Sequence, residues 1–340
     1  MHGEPANRPP ARQTGPMQAV TMTAVDEIAA GQRPDPEPGP DEVLIRVEAS
    51  AVCRTDLQIL RGDLPTHRLP LIPGHQVVGE VVSPGEFHGR RVGLVWLAHT
   101  CGVCSFCTSG RENLCLNAKF TGWDRDGGYA ELVTAHKDFV HPLPDGDATA
   151  LAPLLCGGVI GFRSLRVAGI GPQSAGARLG LYGFGASATI AIQVANFWGC
   201  EVHVVTRSPA EVQRAYDLGA AWAGTYEQPL PTQLDAAVTF APSGDVVISA
   251  LKALDRGGTV AINAIHLDRI PQFDYDDLWW ERSLRSVANV TRADVRDFLA
   301  VVDSARVQTQ FEVLPLENAP VALERVESGD VRGAFVLVCD

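Results

Sequence analysis

The sequence lacks an excess of positive charge. Its 340 residues include 28 lysines and arginines against 40 aspartates and glutamates, which gives a formal net charge of −12. Nucleic acids and anionic membrane surfaces are bound through basic patches, so this balance argues against both as partners. With 46% hydrophobic and 20% charged residues, the composition is that of a soluble globular protein, and the length suffices for two domains.

The first sixteen residues, MHGEPANRPPARQTGP, lack the apolar core of a secretory signal. They are polar and rich in proline, which predicts a disordered tail over residues 1–16. Residues 179–200 lack any charged side chain, but their early glycines predict a buried strand and a buried helix rather than a membrane span. We therefore expect a cytoplasmic protein, in a compartment where thiols stay reduced.

The sequence pattern changes near residue 150. Residues 17–25 and 41–53 resemble strands, and short apolar runs broken by glycine and proline continue through 71–97, which predicts a small β-barrel. Beyond residue 150, strands alternate with helices, one of them predicted at 244–258. This alternation predicts a parallel, doubly wound α/β sheet.

A glycine turn lies at the start of the second region, in the stretch GLYGFGASA. Gly183, Gly185 and Ala188, with Ala186 between them, form the G-x-G-x-x-A version of the dinucleotide fingerprint. The turn follows an apolar strand and opens a helix, which favours nucleotide binding over a turn used only for packing. Backbone N–H groups at such a helix start bind a pyrophosphate.

The cofactor preference depends on the residues after the next strand. About 20 residues beyond the glycines, NAD-binding units usually carry an acidic residue for the ribose hydroxyls. This chain has Thr206, Arg207 and Ser208 there instead. A cation and two hydroxyls suit a 2′-phosphate, so we favour NADP(H) over NAD(H), the alternative being that Arg207 is an ordinary solvated side chain.

Four of the eight cysteines lie within CGVCSFCTSGRENLC, as Cys101, Cys104, Cys107 and Cys115. The spacing C-x2-C-x2-C-x7-C in one lobe, residues 99–116, is typical of an all-thiolate zinc site. An iron–sulfur cluster is the competing interpretation, but the run lacks the Cys-Pro ending of bacterial ferredoxins. Four thiolates close the coordination sphere, so this zinc is predicted to be structural.

A second candidate set consists of Cys53, His75 and Cys156, which are scattered along the chain. Taken singly, each cysteine is more often a small buried hydrophobe and the histidine more often a loop residue. Together, two thiolates and one imidazole would leave one coordination position open, as in a catalytic zinc site. Sequence distance alone does not bring them together.

Seven stretches, in order along the chain from about residue 17 to the C-terminus, resemble signatures of the zinc-dependent alcohol dehydrogenases of the medium-chain dehydrogenase/reductase superfamily. They are CRTDL, PGHQVVGEV, CGVCSFCTSGRENLC, DGGYAE, PLLCGGVIGFRSL, LGLYGFGASA and SVANVTRADV. The resemblance implies a GroES-like, partly open β-barrel catalytic domain over residues 17–153 and 290–340. It also implies a Rossmann cofactor domain over 154–289, with the active site in the cleft between the two.

The resemblance assigns roles to the residues of these motifs. It implies that Cys53, His75 and Cys156 hold the catalytic zinc, which acts as a Lewis acid during hydride transfer. Thr55 corresponds to the hydroxyl that hydrogen-bonds the reacting oxygen and passes its proton on. Asp56 corresponds to the carboxylate that orients the histidine ligand. Counting the cysteine lobe, two zinc ions per chain are expected.

Further positions match the family pattern or depart from it. Arg54 corresponds to an arginine that contacts the pyrophosphate, and Arg292 is a second candidate for that contact. Gln58 stands where a histidine often ends the proton relay, and glutamine does not take up a proton near neutral pH. Gln76 replaces a glutamate close to the metal. We expect slower or differently pH-dependent alcohol oxidation, with aldehyde reduction less affected.

The predicted function is the reversible, NAD(P)-dependent oxidation of a primary alcohol to an aldehyde by a homodimer or homotetramer. Two alternatives stay open: a reductase of a specialised carbonyl or conjugated C=C substrate, and a zinc- and nucleotide-binding protein without turnover. Trp96, His99 and Trp123 flank the candidate metal stretches and are candidates for the substrate pocket, although packing is the more common role of tryptophan.

Overall fold

The computed structural model describes residues 15–339, so residues 1–14 of the predicted tail lie outside the described residues. The strands are β1 (Met17–Ala24), β2 (Glu27–Arg33), β3 (Glu42–Val52), β4 (Gln76–Val81), β5 (Arg91–Leu94), β6 (Leu97–His99), β7 (Lys119–Phe120), β8 (Leu132–His136), β9 (His141–Pro142), β10 (Arg178–Tyr182), β11 (Glu201–Val205), β12 (Trp222–Gly224), β13 (Leu234–Thr239), β14 (Leu254–Ile262), β15 (Ser283–Ser286), β16 (Phe311–Pro315) and β17 (Ala334–Val338).

The helices are α1 (Arg54–Leu60), α2 (Ser105–Thr108), α3 (Ala148–Leu151), α4 (Gly157–Val167), α5 (Ala186–Phe197), α6 (Pro209–Asp217), α7 (Gly244–Lys252), α8 (Tyr275–Leu278), α9 (Arg292–Val302) and α10 (Ala319–Ser328). Single turns of 3₁₀ helix cover Glu112–Leu114, Lys137–Phe139, Ala152–Leu155 and Leu316–Asn318.

The first half of the chain and its C-terminal end share one seven-stranded sheet. The order is β16-β17-β3-β4-β5-β9, and β8 pairs with β3 off this path. Strand β3 shows why the sequence forms this sheet, because its alternating Val43, Ile45 and Val47 are all buried while the residues between them are not. The predicted β-rich architecture of this region is confirmed.

The second sheet is parallel throughout and has the order β12-β11-β10-β13-β14-β15. Counted within the sheet, this order is 3-2-1-4-5-6, the strand order of a dinucleotide-binding fold. The order reverses between β10 and β13, and ligands of such sheets bind outside the carboxyl ends of the strands at that point. The predicted doubly wound α/β sheet is therefore confirmed.

The two sheets share a continuous core. One buried cluster contains Ala51 and Val78 from the barrel together with Leu179 and Val238 from the Rossmann sheet. Helix α4 crosses α5 closely because it offers a glycine at the contact. A Cβ on Gly161 would lie 3.1 Å from the Ser187 carbonyl oxygen.

Some predicted elements differ from the observed ones. The predicted helix at 244–258 was too long, because α7 ends at Lys252 and β14 already begins at Leu254. Strands β15 and β16 were missed. Their residues are mostly exposed or half-buried, so neither strand shows the apolar alternation that identified β3.

One helical stretch, Ala148–Val167, is long and apolar enough to cross a membrane by length and composition alone. It is broken into α3, a 3₁₀ turn and α4, and 61% of its most apolar window is buried inside the fold. A core helix passes the same test. The uncharged stretch at 179–200 contains strand β10 and helix α5, as predicted.

A buried carboxylate ties α9 to α4. Asp294 caps α9 in a reciprocal capping box with Thr291. The same carboxylate accepts hydrogen bonds from Arg163 at 2.6 Å and Arg166 at 3.0 Å. Burial alone would raise the pKa of Asp294, but the Thr291 and Arg163 contacts hold that pKa below its ordinary value.

We predict that Asp294→Ala destabilises the protein by about 3 kcal/mol, because it leaves the partly buried Arg163 without its anion and removes the helix cap. Urea-induced unfolding measures this loss. The matched control is Asp297→Ala on the same helix, which removes a more exposed partner of Arg166 and should cost less than about 1 kcal/mol. Equal losses in the two variants would contradict the assignment.

Candidate active site and metal centres

Three scattered residues meet where the barrel faces the Rossmann domain. Cys53 follows β3 and His75 precedes β4, and these neighbouring antiparallel strands end together because Ala51 pairs with Gln76. Cys156 lies between the 3₁₀ turn and α4. The ligand atoms of Cys53, His75 and Cys156 all lie within 4.8 Å of one another.

The geometry of this trio fits a zinc ion. The Sγ atoms of Cys53 and Cys156 are 4.0 Å apart, whereas two sulfurs on a tetrahedral zinc at about 2.3 Å lie about 3.8 Å apart. His75 is 1% exposed, and its Nε2 is buried without a hydrogen-bond partner among the described residues. A buried nitrogen of this kind requires a partner, and a metal bound by the two thiols would provide one.

Asp56 orients this trio. It lies in the first turn of α1 and is 1% exposed. Its Oδ1 is 2.9 Å from His75 Nδ1, and its Oδ2 accepts the backbone N–H of Cys53 at 2.9 Å. A proton on Nδ1 leaves Nε2 with a free lone pair, the tautomer that ligates a metal. The predicted contact between the Asp56 carboxylate and the histidine is therefore present.

Tyr129 is a support that the sequence did not predict. Its hydroxyl donates to Asp56 Oδ2 at 3.1 Å, and burial and the Asp56 charge both raise the pKa of Tyr129, so the hydroxyl keeps its proton. The ring lies against Gly74, where a Cβ would come within 2.3 Å of Cδ1. Gly74 also has a φ of +93°, so the residue before His75 has to be glycine. The motif DGGYAE contains Tyr129, but nothing in its spacing points to a residue 73 positions away.

The predicted relay and cofactor residues of α1 face a cleft of about 440 Å³. Arg54, Thr55 and Gln58 line one side of it. The other side consists of residues that follow β13 and β14 in the Rossmann sheet: Phe240, Pro242, Asn263, Ala264, Ile265, His266 and Asp268. Thr55 Oγ1 is 3.8 Å from Cys53 Sγ, so its hydroxyl lies next to the trio.

Gln76 is buried and its Nε2 donates to the carbonyl oxygen of Ala51 at 3.3 Å. A glutamate at this position would bring a negative charge to the same buried place, where it has no proton to donate to that carbonyl. The neutral amide therefore suits the local structure.

An aromatic wall stands beside His75. Trp96 meets the His75 ring edge-on at 5.0 Å and stacks on Phe120 and Trp123 at 5.1 and 5.6 Å. Trp123 in turn stacks on His67 at 4.0 Å. Trp96 and Trp123 thus lie together near the metal trio, whereas His99 packs instead against His136 and Phe139.

The four cysteines of the lobe form a second cluster. The Sγ atoms of Cys101, Cys104, Cys107 and Cys115 lie within 4.8 Å of one another. Backbone N–H groups of Val103 and Cys104 lower the pKa of the Cys101 thiol to about 6, whereas burial and the neighbouring thiols raise the pKa of Cys107 to about 11. Gly102 and Gly110 make the tight turns with φ of +71° and +73°. No disulfide joins cysteines anywhere in residues 15–339.

Arg292 lies at this lobe. Its guanidinium forms a salt bridge with Glu112 at 2.7 Å and stacks over the Phe139 ring at 4.8 Å. Burial alone would raise the pKa of Glu112, but the Arg292 contacts hold that pKa below its ordinary value. His141 lies close by, and burial followed by the Arg292 charge lowers its pKa to about 4, so it stays neutral. These contacts engage the Arg292 guanidinium at the lobe, and the pyrophosphate contact expected for it stays a prediction.

The glycine turn has the geometry that a pyrophosphate requires. Gly183 follows β10 with a φ of +89°, and Gly185 is the N-cap of α5, which begins at Ala186. A Cβ on Gly185 would meet nothing within 4 Å, so the backbone there is open to a ligand. Ala188 is fully buried, and its methyl group packs in the core at the third position of the fingerprint.

The residues after β11 divide into two kinds. Thr206 is buried, and its hydroxyl accepts the backbone N–H of Ser208 at 3.5 Å. Arg207 is exposed. Burial raises the pKa of Tyr226, and the positive charge of Arg207 partly offsets that rise. The structure thus leaves Arg207, rather than Thr206, available to a ligand at this end of the sheet.

Comparisons with known proteins agree with this geometry. Residues 39–145 match the alcohol dehydrogenase GroES-like domain, and residues 188–304 match the zinc-binding dehydrogenase domain. The chain is 47% identical to a probable alcohol dehydrogenase AdhA of Mycobacterium tuberculosis, covering 97% of this chain and 95% of that protein. It is 35% identical to an alcohol dehydrogenase of Geobacillus stearothermophilus over 92% of this chain and 95% of that one.

Among solved structures, a cinnamyl alcohol dehydrogenase from Sorghum bicolor superposes with a TM-score of 0.86. It covers 95% of this chain and 98% of its own, at 22% sequence identity. The similarity to that structure concerns the fold alone.

We predict that Cys104→Ser lowers the zinc content from about two to about one per chain, since a structural site needs its full thiolate set. The melting temperature should fall by more than about 4 °C, because a loss of 1 kcal/mol lowers it by about 2–4 °C in a domain of this size. Atomic absorption and calorimetry measure both. Cys200→Ser is the control, because Cys200 is buried outside both clusters and serine can keep its hydrogen bond to Ser174. Two zincs retained in Cys104→Ser would contradict the lobe as a metal site.

Proposed function

Because this chain belongs to the zinc-containing alcohol dehydrogenases of the medium-chain dehydrogenase/reductase superfamily, we propose that it interconverts primary alcohols and aldehydes with NADP(H) as preferred cofactor. As a family member it is an NAD(P)-dependent alcohol dehydrogenase. One observation carries the proposed interconversion of alcohol and aldehyde. The ligand atoms of Cys53, His75 and Cys156 lie together, beside the Thr55 hydroxyl.

We propose that Cys53, His75 and Cys156 hold the catalytic zinc, in the two-thiolate, one-imidazole set known for alcohol dehydrogenases. When bound there, zinc supplies a Lewis acid for the substrate oxygen and keeps one coordination position open. Asp56 holds the His75 ring through Nδ1, and Tyr129 holds Asp56. These contacts keep the ligand set in one geometry before the substrate arrives.

Thr55 is the proposed proton-transfer group at the reacting oxygen. Its hydroxyl lies beside Cys53 and lines the cleft, so an oxygen held at the trio is within its reach. A hydroxyl both donates and accepts, so Thr55 passes a proton on without retaining it. Gln58 lines the same cleft and supplies hydrogen bonds but no site of proton uptake.

For the cofactor, we propose that the turn from Gly183 to Ala188 binds the pyrophosphate at the start of α5. Arg54, across the cleft, is the proposed cationic contact to the same group. The exposed Arg207, with Ser208 beside it, is the proposed site of the 2′-phosphate, and the buried Thr206 supports it through its hydrogen bond with the Ser208 N–H. Arg292 is the second proposed contact to the pyrophosphate, and its salt bridge with Glu112 would compete with that contact.

The chain is further proposed to comprise a catalytic domain at 17–153 and 290–340 and a Rossmann domain at 154–289, and to form a homodimer or homotetramer. The lack of disulfides among the described residues fits a reducing compartment such as the cytoplasm.

We predict that the purified protein oxidises NADPH in the presence of aldehydes, followed by absorbance. Thr55→Val should lower kcat by about 100-fold, because it keeps the shape of the side chain but removes the proton-transfer hydroxyl. The zinc content should stay at that of the wild type, which separates a catalytic effect from a lost site.

A panel of aldehydes and enones distinguishes the alternatives. Turnover of enones alone would favour a C=C reductase over the proposed activity. No turnover with either class, despite two bound zincs, would favour a binding protein.

We predict that Arg207→Asp raises the KM for NADPH and shifts the NADPH/NADH preference toward NADH by at least about tenfold, which is about 1.4 kcal/mol. The new carboxylate would repel a 2′-phosphate and suit a ribose hydroxyl. Arg207→Lys, which keeps the charge, is the control and should keep the preference. If Arg207→Asp leaves the ratio of kcat/KM with NADPH to kcat/KM with NADH unchanged, the 2′-phosphate is bound by other residues.

A further inference from the structure

Alcohol oxidation releases a proton, which another group has to take up. The substrate loses a hydride with two electrons to the nicotinamide and a proton from its hydroxyl group. Thr55 passes that proton on, and the Gln58 amide does not take it up. A group that titrates near neutral pH at the same cleft would complete the transfer to solvent.

The segment between β14 and α8 crosses the far side of the cleft and is anchored at two points. At its start, the Asn263 N–H donates to the Thr239 carbonyl at 2.9 Å. Five residues later, the Asp268 carboxylate accepts the Gly244 N–H at 2.9 Å. Gly244 also permits close packing here, since a Cβ at that position would come within 1.9 Å of the Arg269 carbonyl oxygen.

Between these anchors, neighbouring residues face in different directions. Leu267 packs against the buried cluster of the Rossmann domain that contains Val247 and Leu251. His266 is exposed and lines the cleft with Thr55 and Gln58. The anchors and the packing of Leu267 therefore hold the imidazole on the cleft side of the segment.

His266 is the one imidazole among the residues from the described part of the chain that line this cleft. Imidazole is the side chain that ordinarily changes its protonation between pH 5 and 8. The charged groups that line the cleft with it are Arg54, Arg61, Asp63, Asp268 and Glu327. Three of them are already engaged: Arg61 pairs with Glu327, and Asp268 accepts from Gly244.

We propose that His266 is the terminal proton acceptor of alcohol oxidation, in place of a histidine at position 58. The proton leaves the substrate hydroxyl, passes through Thr55 and water in the cleft, binds His266 and then enters solvent. In aldehyde reduction the same groups carry a proton inward. This inference rests on the proposed alcohol dehydrogenase function and adds a residue from the opposite domain to it.

The spatial part of the proposal is tested without catalysis. Proton NMR follows the titration of the His266 C2–H, which is assigned by its loss in His266→Gln. Gln58→Glu should raise the pKa of His266, and Gln58→Lys should lower it, because the new charges face the imidazole across the cleft. Gln213→Glu, on the exposed face of α6, is the control and should cause no shift. Shifts no larger than this control would overturn the proposal.

The functional part is tested by pH–rate profiles. His266→Gln should lower kcat for alcohol oxidation at pH 7 by about 10²-fold with little change in KM. Free imidazole in the buffer should restore the rate, and so should Gln58→His in the same chain. His88→Gln, on a loop of the barrel, should behave as wild type.

An unchanged profile in His266→Gln, or a loss that neither imidazole nor Gln58→His restores, would overturn the role of His266. If the wild type itself oxidises no alcohol, the proposed function fails first. In that case the NMR titration still shows whether the side chains of residues 58 and 266 face each other across the cleft.

Discussion

The Asp56 carboxylate is the contact on which the whole site depends. It is buried, and it joins three parts of the chain: the end of β3 through the Cys53 N–H, the approach to β4 through His75, and the loop carrying Tyr129. A buried carboxylate is costly unless its oxygens are hydrogen-bonded. Here the three donors stabilise the charge, and they also fix the imidazole tautomer. The need to satisfy this one charge therefore holds Cys53 and His75 in place, whereas Cys156 is positioned separately by the start of α4.

The two cysteine clusters put the same metal chemistry to different uses. The lobe surrounds its site with four thiols from one short segment, whereas the trio draws on residues from 53 to 156. The lobe is also attached to the segment where the chain leaves the Rossmann sheet. Asn113 donates to the Ala288 carbonyl at 2.8 Å, and Glu112 binds Arg292 at the start of α9. The four-cysteine site thus supports the junction of the two domains. The site of Cys53, His75 and Cys156 faces the cleft between them.

Much of this structure was predictable where the signal was local. The alternation at Val43, Ile45 and Val47 identified β3, the spacing of Gly183 and Gly185 identified the turn between β10 and α5, and the lobe cysteines identified their own cluster. Cys53, His75 and Cys156 were a candidate set by residue type, and only the family resemblance implied that the three act together. Tyr129 and the Arg292 contact with Glu112 were not predicted, because they join residues 73 and 180 positions apart. Such pairs follow from tertiary packing, to which no local period corresponds.

The aromatic wall gives the molecule an optical property. Trp96 touches the His75 ring edge-on, and Trp123 stacks on Trp96. Indole emission responds to nearby charge and ring orientation, so we expect the fluorescence of these two side chains to change with the state of the ligand set. The wall beside the metal trio would then report, without an added label, what is bound there.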